Sequence, residues 1–377
     1  MTNASYRRLD DVCDIRMGQA PHGNSYNDRG DGLPLIAGAG DFGHRVPRCK
    51  KFTTRPWKVC TSGDIILGIR ASIGAKVVAD RDYCLGRGVA GLRPRPGLSA
   101  DYLWNWLGYA EQRLAAKGRG ATFKQVSRED IGELEIPVPP IEEQRRIAEI
   151  LDRADALRTK RREALAHLDA LTQSIFLDMF GDPLTSSTKW PGSPLGNIAE
   201  TSSGGTPSRA VRHYFGGSIP WVKSGELDED VVLSTSECLT PAGLQHSSAK
   251  LLDAGPVLIA MYGATVGSVS RLGIRAATNQ AVCAVRVGLR VRPDYLIAFL
   301  RRMTPQLLAS RAGGAQPNLS QGQIQRLIIG VPPLALQDSF VEAVGRVARL
   351  RISGRCSLDY TDALSAALQQ RAFAGQL

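Results

Sequence analysis

Apolar residues recur at alternating three- and four-residue steps along one stretch of this chain. Ile150, Ala154, Leu157, Ala164, Leu168, Leu171 and Ile175 keep that rhythm, with Arg161 as the one polar intruder. This is the period of a coiled-coil-like helical seam. Pro139-Pro140 come before the run, and proline suits a helix start because its missing N–H falls among donors that lack partners there. Glu142 and Glu143 place negative charge where the helix dipole favours it. Gly181 and Pro183 stop the run. The pattern predicts a helix of about 40 residues, roughly 60 Å long at 1.5 Å per residue.

Elsewhere the pattern is shorter. Asp64-Ile65-Ile66-Leu67 and Val257-Leu258-Ile259-Ala260 read as strands among glycines and turn residues. Short amphipathic helices are expected around 101–111 and 294–302. A second long helix is expected from about Leu334 onward, with Val341, Val344, Val347 and Leu350 apolar, then Leu358, Leu364, Leu368 and Phe373. Gly345 and Gly354 weaken it by about 1 kcal/mol each relative to Ala, which predicts a kink or break near 354.

These elements are two copies of one plan. Asp101-Tyr102-Leu103 returns as Asp294-Tyr295-Leu296, a shift of 193. The same shift carries Gly74 to Gly267, Ser127 to Ser320, Val138-Pro139-Pro140 to Val331-Pro332-Pro333 and Gln144 to Gln337. Nearer each start the shift is 186, taking Leu9 to Leu195, Gly18 to Gly204, Pro21 to Pro207 and Pro34 to Pro220. The expected domains are 1–138, the central helix 139–183, 190–331 and the last helix 332–377. The expected fold class is α+β: two repeated α/β globules joined by two long antiparallel helices that form a coiled-coil rod. The competing arrangement folds each helix back on its own globule.

Composition adds a partner class. Lys and Arg number 47 against 36 Asp and Glu, a net of +11 over 377 residues. A basic balance points to a polyanion, usually nucleic acid, although a genome biased toward Arg codons produces the same excess. The seven cysteines form no C-x-x-C pair, and the five histidines are scattered, as expected of a reduced cytoplasmic protein. No signal peptide and no membrane-length apolar run is apparent.

Catalytic motifs are missing. No Lys directly follows a Gly, so there is no phosphate-binding G-x-x-x-x-G-K-[ST] loop. No Asp or Glu precedes a Lys by two residues, and H-E-x-x-H, G-x-S-x-G and the Asn/Asp-Pro-Pro-aromatic motif are absent. Ile36-Ala37-Gly38-Ala39-Gly40-Asp41 imitates a nucleotide-binding turn, but the residues after it are poor helix formers, and copy two lacks the glycines. No cofactor or metal is expected on this chain.

Three aligned loop pairs are the candidates for DNA contact. Gly68-Ile69-Arg70-Ala71-Ser72-Ile73-Gly74-Ala75-Lys76 matches the loop 261–268, with Tyr262, Thr265 and Ser268. Small residues let backbone N–H groups approach phosphate, and Arg70, Ser72, Lys76, Tyr262, Thr265 and Ser268 offer side-chain contacts. Arg87 matches the segment with Asn279 and Gln280; arginine suits guanine, and the amides suit adenine. The third pair is basic and glycine-rich, with Lys117, Arg119 and Lys124 in one copy and Arg311 in the other. Lys223 completes the set. For each pair the plainer alternative is a turn or connector built from small polar residues.

The order of these segments resembles the specificity subunit of type I restriction-modification systems. Ile136-Pro137-Val138-Pro139-Pro140-Ile141-Glu142-Glu143-Gln144-Arg145-Arg146-Ile147 looks like the start of that family's central helix. The segments 219–227, which includes Lys223, and Thr278-Asn279-Gln280 look like parts of its target recognition domains. Leu334-Ala335-Leu336-Gln337-Asp338-Ser339-Phe340 is a degraded second copy of the helix-start motif. The resemblance implies a non-catalytic subunit whose two target recognition domains read the halves of a split double-stranded DNA sequence, with the helices setting the spacer. It implies two methyltransferase subunits, which carry S-adenosylmethionine and methylate adenine, and restriction (motor-nuclease) subunits that use ATP and Mg. An assembly scaffold that binds only proteins is the alternative; an enzyme acting alone is disfavoured by the missing motifs.

Overall fold

The computed structural model describes residues 5–120, 124–185, 189–263, 265–309 and 318–377. Two compact units emerge, residues 1–162 with 356–377 and residues 163–355. Each unit contains one globule and part of both long helices.

In the first unit, an antiparallel sheet has the order Cys13–Met17, Val89–Pro94, Ile65–Gly68, Lys76–Val78. A second sheet pairs Leu33–Ile36 in parallel with Tyr83–Leu85, which also pairs Val59–Cys60. Helix α1 (Ala100–Ala116) covers the first sheet. Ser99 caps it by accepting from the Tyr102 N–H. Its buried residues Leu103, Trp106, Leu107, Ala110 and Leu114 keep helical spacing and pack with Ile65 and Leu67. The strand Ser5–Arg8 pairs Glu135–Val138 and leads into α2 (Ile141–Phe180).

The second unit repeats this plan. Its sheet runs Ala199–Ser203, Val282–Val287, Val257–Ala260, Val269–Leu272, and its helix α3 spans Pro293–Ala309. The registers match residue for residue: Ala90 pairs Met17 in the first copy, and Cys283 pairs Ser203 in the second. Tyr102 donates to the Pro137 carbonyl at 2.8 Å, and Tyr295 donates to the Gly330 carbonyl at 2.7 Å. The predicted strands, short helices and duplication are all present.

Helix α4 (Leu334–Phe373) runs unbroken through Gly345 and Gly354, against the expected break. In the second unit a Cβ on Gly354 would lie 2.8 Å from Leu165 Cδ2. The missing side chain lets α4 pack close to α2, and that packing outweighs the lost helix propensity. Within each unit the two long helices run antiparallel. Arg158 bonds Asp362 at 2.5 Å while Ile147 and Leu151 join the core that holds Phe373. In the second unit Arg351 meets Asp169 at 2.8 Å, and Phe176 and Phe180 pack on Phe340.

The predicted seam is covered only in part: Ile150, Ala154, Leu168 and Ile175 are half-buried. Leu157, Ala164 and Leu171 are exposed, while Ile147, Leu151, Phe176 and Phe180 are buried. Period alone leaves the rotation of a helix open. Here the aromatic and aliphatic residues near each end set it by filling the globule cores.

Candidate nucleic-acid interface

The first unit gathers four loops around one short segment. Leu85 donates its N–H to the Lys58 carbonyl at 2.7 Å and accepts from the Gln19 N–H at 2.8 Å. Gly86 N–H donates to the Ile36 carbonyl and Gly88 N–H to the Ala37 carbonyl. The Gly88 carbonyl accepts from Ile69 N–H, and the Ile69 carbonyl from Val126 N–H. A Cβ on Gly88 would stand 2.4 Å from the Ala37 oxygen, so only glycine allows this crossing. The segments thus brought together carry Arg70, Arg87, Arg119 and Lys124.

The second unit repeats four of these six bonds, with Ala281 in the place of Gly88. Gly205 N–H donates to the Thr278 carbonyl, Asn279 N–H to the Val222 carbonyl, Met261 N–H to the Ala281 carbonyl and Leu319 N–H to the Met261 carbonyl. The loops carrying Lys223, Tyr262 and Gln280 converge through these bonds.

Side-chain engagement separates the candidates. Arg87 is exposed and forms no ion pair among the described residues. Arg70 is exposed, and its Nε donates to Gln125 Oε1 at 2.7 Å. Arg119 is 85% exposed while reaching Asp130 at 3.3 Å. Ser72 and Lys124 are exposed. Lys76 turns inward: its ammonium sits 4.7 Å from the Trp104 ring centre, and burial lowers its pKa while Glu111 opposes the shift. Lys117 pairs with Glu133 at 3.2 Å.

In the second unit, Tyr262 is 40% exposed, and exposed Gln280 bonds Thr206. Asn279 accepts from the Ala281 N–H with its own Oδ1, so it holds a turn. Thr265 donates to the Ser224 carbonyl at 3.1 Å, and Ser268 is half-buried. Lys223 bonds Glu237 at 2.8 Å; Arg209 bonds the same carboxylate at 2.6 Å and lies 4.5 Å from the Phe215 ring centre. The hydrogen bond from Arg209, then that from Lys223, hold the Glu237 pKa down at about 2. Arg311 lies outside the described residues.

Two features escaped the sequence reading. Trp57 is 49% exposed, and its ring meets His22 edge-on at 5.1 Å. Its signal is an aromatic between basic residues, Arg55-Pro56-Trp57-Lys58. The other is the work of the repeated glutamines. Gln144 is fully buried; its amide donates to the Gly97 and Pro139 carbonyls, and its oxygen accepts from Ser99 N–H. Gln337 does the same with Arg290, Pro332 and Arg292. Among the described residues, no helix is long and apolar enough to cross a membrane.

Comparison with known proteins follows the duplication. The family model of the type I restriction modification DNA specificity domain matches residues 1–167 and 188–352. A Methanocaldococcus jannaschii protein described as the MjaX type I restriction enzyme specificity subunit is 36% identical over 151 residues, 40% of this chain and 36% of that protein. The chain therefore spans little more than a third of that relative. The MjaIX specificity subunit of the same organism is 22% identical over 304 residues, 75% of this chain and 70% of its own length. The solved type I restriction-modification S subunit from M. genitalium shares the fold with a TM-score of 0.59 at 16% identity, over 99% of this chain and 96% of that one.

Proposed function

The chain belongs to the type I restriction-modification DNA specificity family, and from that premise we propose that it reads a bipartite double-stranded DNA target, one half through each target recognition domain. The observation that carries this reading is the loop knot, built twice with four equivalent backbone bonds but bearing different polar side chains: Arg70, Arg87 and Arg119 in one copy, Tyr262 and Gln280 in the other. A fixed frame with exchanged tips is how one scaffold reads two sequences. Arg87 is the foremost base-reading residue, since two-pronged arginine contacts select guanine in the major groove. Lys124 and Arg119 serve phosphate contact.

The subunit itself is non-catalytic in this reading. Methylation belongs to two methyltransferase subunits with S-adenosylmethionine, and translocation and cleavage to restriction subunits with ATP and Mg. Exposed apolar side chains on the long helices support docking of such partners: Leu157, Tyr360 and Leu364 in the first unit, Leu171, Leu350 and Ile352 in the second. The helices are also the natural ruler of the spacer between half-sites.

The test is selection from a random duplex library by the chain reconstituted with its methyltransferase. A split consensus whose affinity falls steeply with salt is the expected result. Selection of no consensus, with equal binding to all duplexes, would sink the reading in favour of a protein scaffold.

A further inference from the structure

The Trp57–His22 pair has no role in the core of its unit. The neighbouring cluster is complete without it, filled by Ile36, Cys60, Tyr83 and Leu85. The second unit shows what the scaffold needs at this place. Val59 pairs Cys84 in the first copy, and Leu251 pairs Ala277 in the second. Counting back two residues sets Trp57 against Ala249, which is 8% exposed and joins a core cluster with Trp221 and Leu239. The shift of 186 sets His22 against Ser208. One copy thus uses small residues where the other projects two rings.

The two rings are carried on segments bonded to the strand that leads to the candidate reading residue, Arg87. Leu85 is bonded to Lys58 on one side and Gln19 on the other. Trp57 precedes Lys58, His22 follows Gln19 by three residues, and Arg87 follows Leu85 by two. The His22 carbonyl accepts from both the N–H and the hydroxyl of Ser25, and that hydroxyl also meets Thr53 at 2.8 Å. The turn that carries His22 is therefore held before any ligand arrives, which lowers the ordering cost of contact. Arg55 and Lys58, on either side of Trp57, are exposed cations suited to flanking phosphates.

We propose that Trp57, held edge-on by His22, is a specificity-determining residue of the first recognition domain that packs its ring on the C5-methyl group of a thymine in the major groove. Thymine alone among the bases offers an apolar group there. This rests on the DNA-reading function proposed above.

The full chain with its methyltransferase is first used to select both half-sites from a random library. Trp57→Ala, Trp57→Phe and wild type are then titrated against the selected duplex and against duplexes with single thymine-to-uracil changes, which remove only the methyl group. Wild type is expected to lose about tenfold in affinity at one thymine of one half-site. Trp57→Ala should bind the parent duplex about tenfold more weakly and lose nothing further on uracil, while Trp57→Phe keeps the preference. The other half-site should stay unchanged in every variant, which also shows that the chain is folded. Unchanged affinity and consensus in Trp57→Ala would overturn the proposal while leaving DNA reading intact, as would a loss that is equal for all sequences and blind to uracil. Failure of wild type to select any consensus would instead remove the underlying function.

Discussion

Replacing Gln144 by Leu removes the joint between α2 and its globule while nearly preserving volume. Three backbone groups lose a partner: Ser99 N–H at 2.8 Å, the Gly97 carbonyl at 2.9 Å and the Pro139 carbonyl at 2.8 Å. An orphaned buried polar group costs about 1–3 kcal/mol. Only the bond to Pro139 is buried at both ends, and water can partly serve the other two. Removing the buried amide also relieves its own desolvation. The net loss should be about 3 kcal/mol, and at roughly 2–4 °C per kcal/mol for a unit of this size the first unit should melt about 6–12 °C lower. Calorimetry measures the shift, and hydrogen exchange at the Ser99 amide locates it, which matters because two units need not unfold as one transition. Gln337→Leu should act in the same way on the second unit. A loss below about 1 kcal/mol, with Ser99 still protected, would refute the reasoning: water would then fill the site, and the glutamine would not be an anchor.

Other substitutions separate the remaining arguments. Gly345→Ala should stabilise α4 by about 0.5–1 kcal/mol, since its Cβ would meet only the end of Arg349 at 3.9 Å; Gly354→Leu should cost about 1–3 kcal/mol by forcing Leu165 away, and thermal melts of both variants decide it. Glu237 has a depressed folded-state pKa, so its contribution to the second unit is present above the ordinary carboxylate pKa and lost as pH falls toward about 2; Glu237→Gln should flatten that part of the pH–stability profile. Arg87→Ala should weaken binding by about tenfold or more and relax preference at one position of one half-site. Consensus selection checks this, and an intact consensus would remove Arg87 as a reader.

The candidate contacts show why some of this was legible and some was not. Part of the knot was visible as a repeated frame: Gly18 and Gly204 recur because a Cβ there would meet the Gly86 oxygen at 2.1 Å and the Thr278 oxygen at 2.0 Å, whereas Gly86 and Gly88 give way to Asn279 and Ala281. Whether a cation is available was not visible. Lys76 and Arg87 look alike as basic residues in glycine-rich loops, yet Lys76 lies over Trp104, 28 positions away, whereas Arg87 points to solvent. Lys223 is claimed by Glu237, 14 positions away.

By itself the sequence determined the duplication and the presence of two long helices, because prolines, glycine stops and apolar period act within a few residues of each other. It marked Gln144 and Gln337 as a repeated pair without showing what they hold. Tertiary structure decided how far each part of α2 is covered, leaving Leu157 and Leu171 exposed and burying Ile147 and Phe176. It also carried α4 through Gly354, where Leu165 needs the space. These outcomes depend on residues that meet only after folding, and a local pattern carries no record of the distant side chain that will complete it.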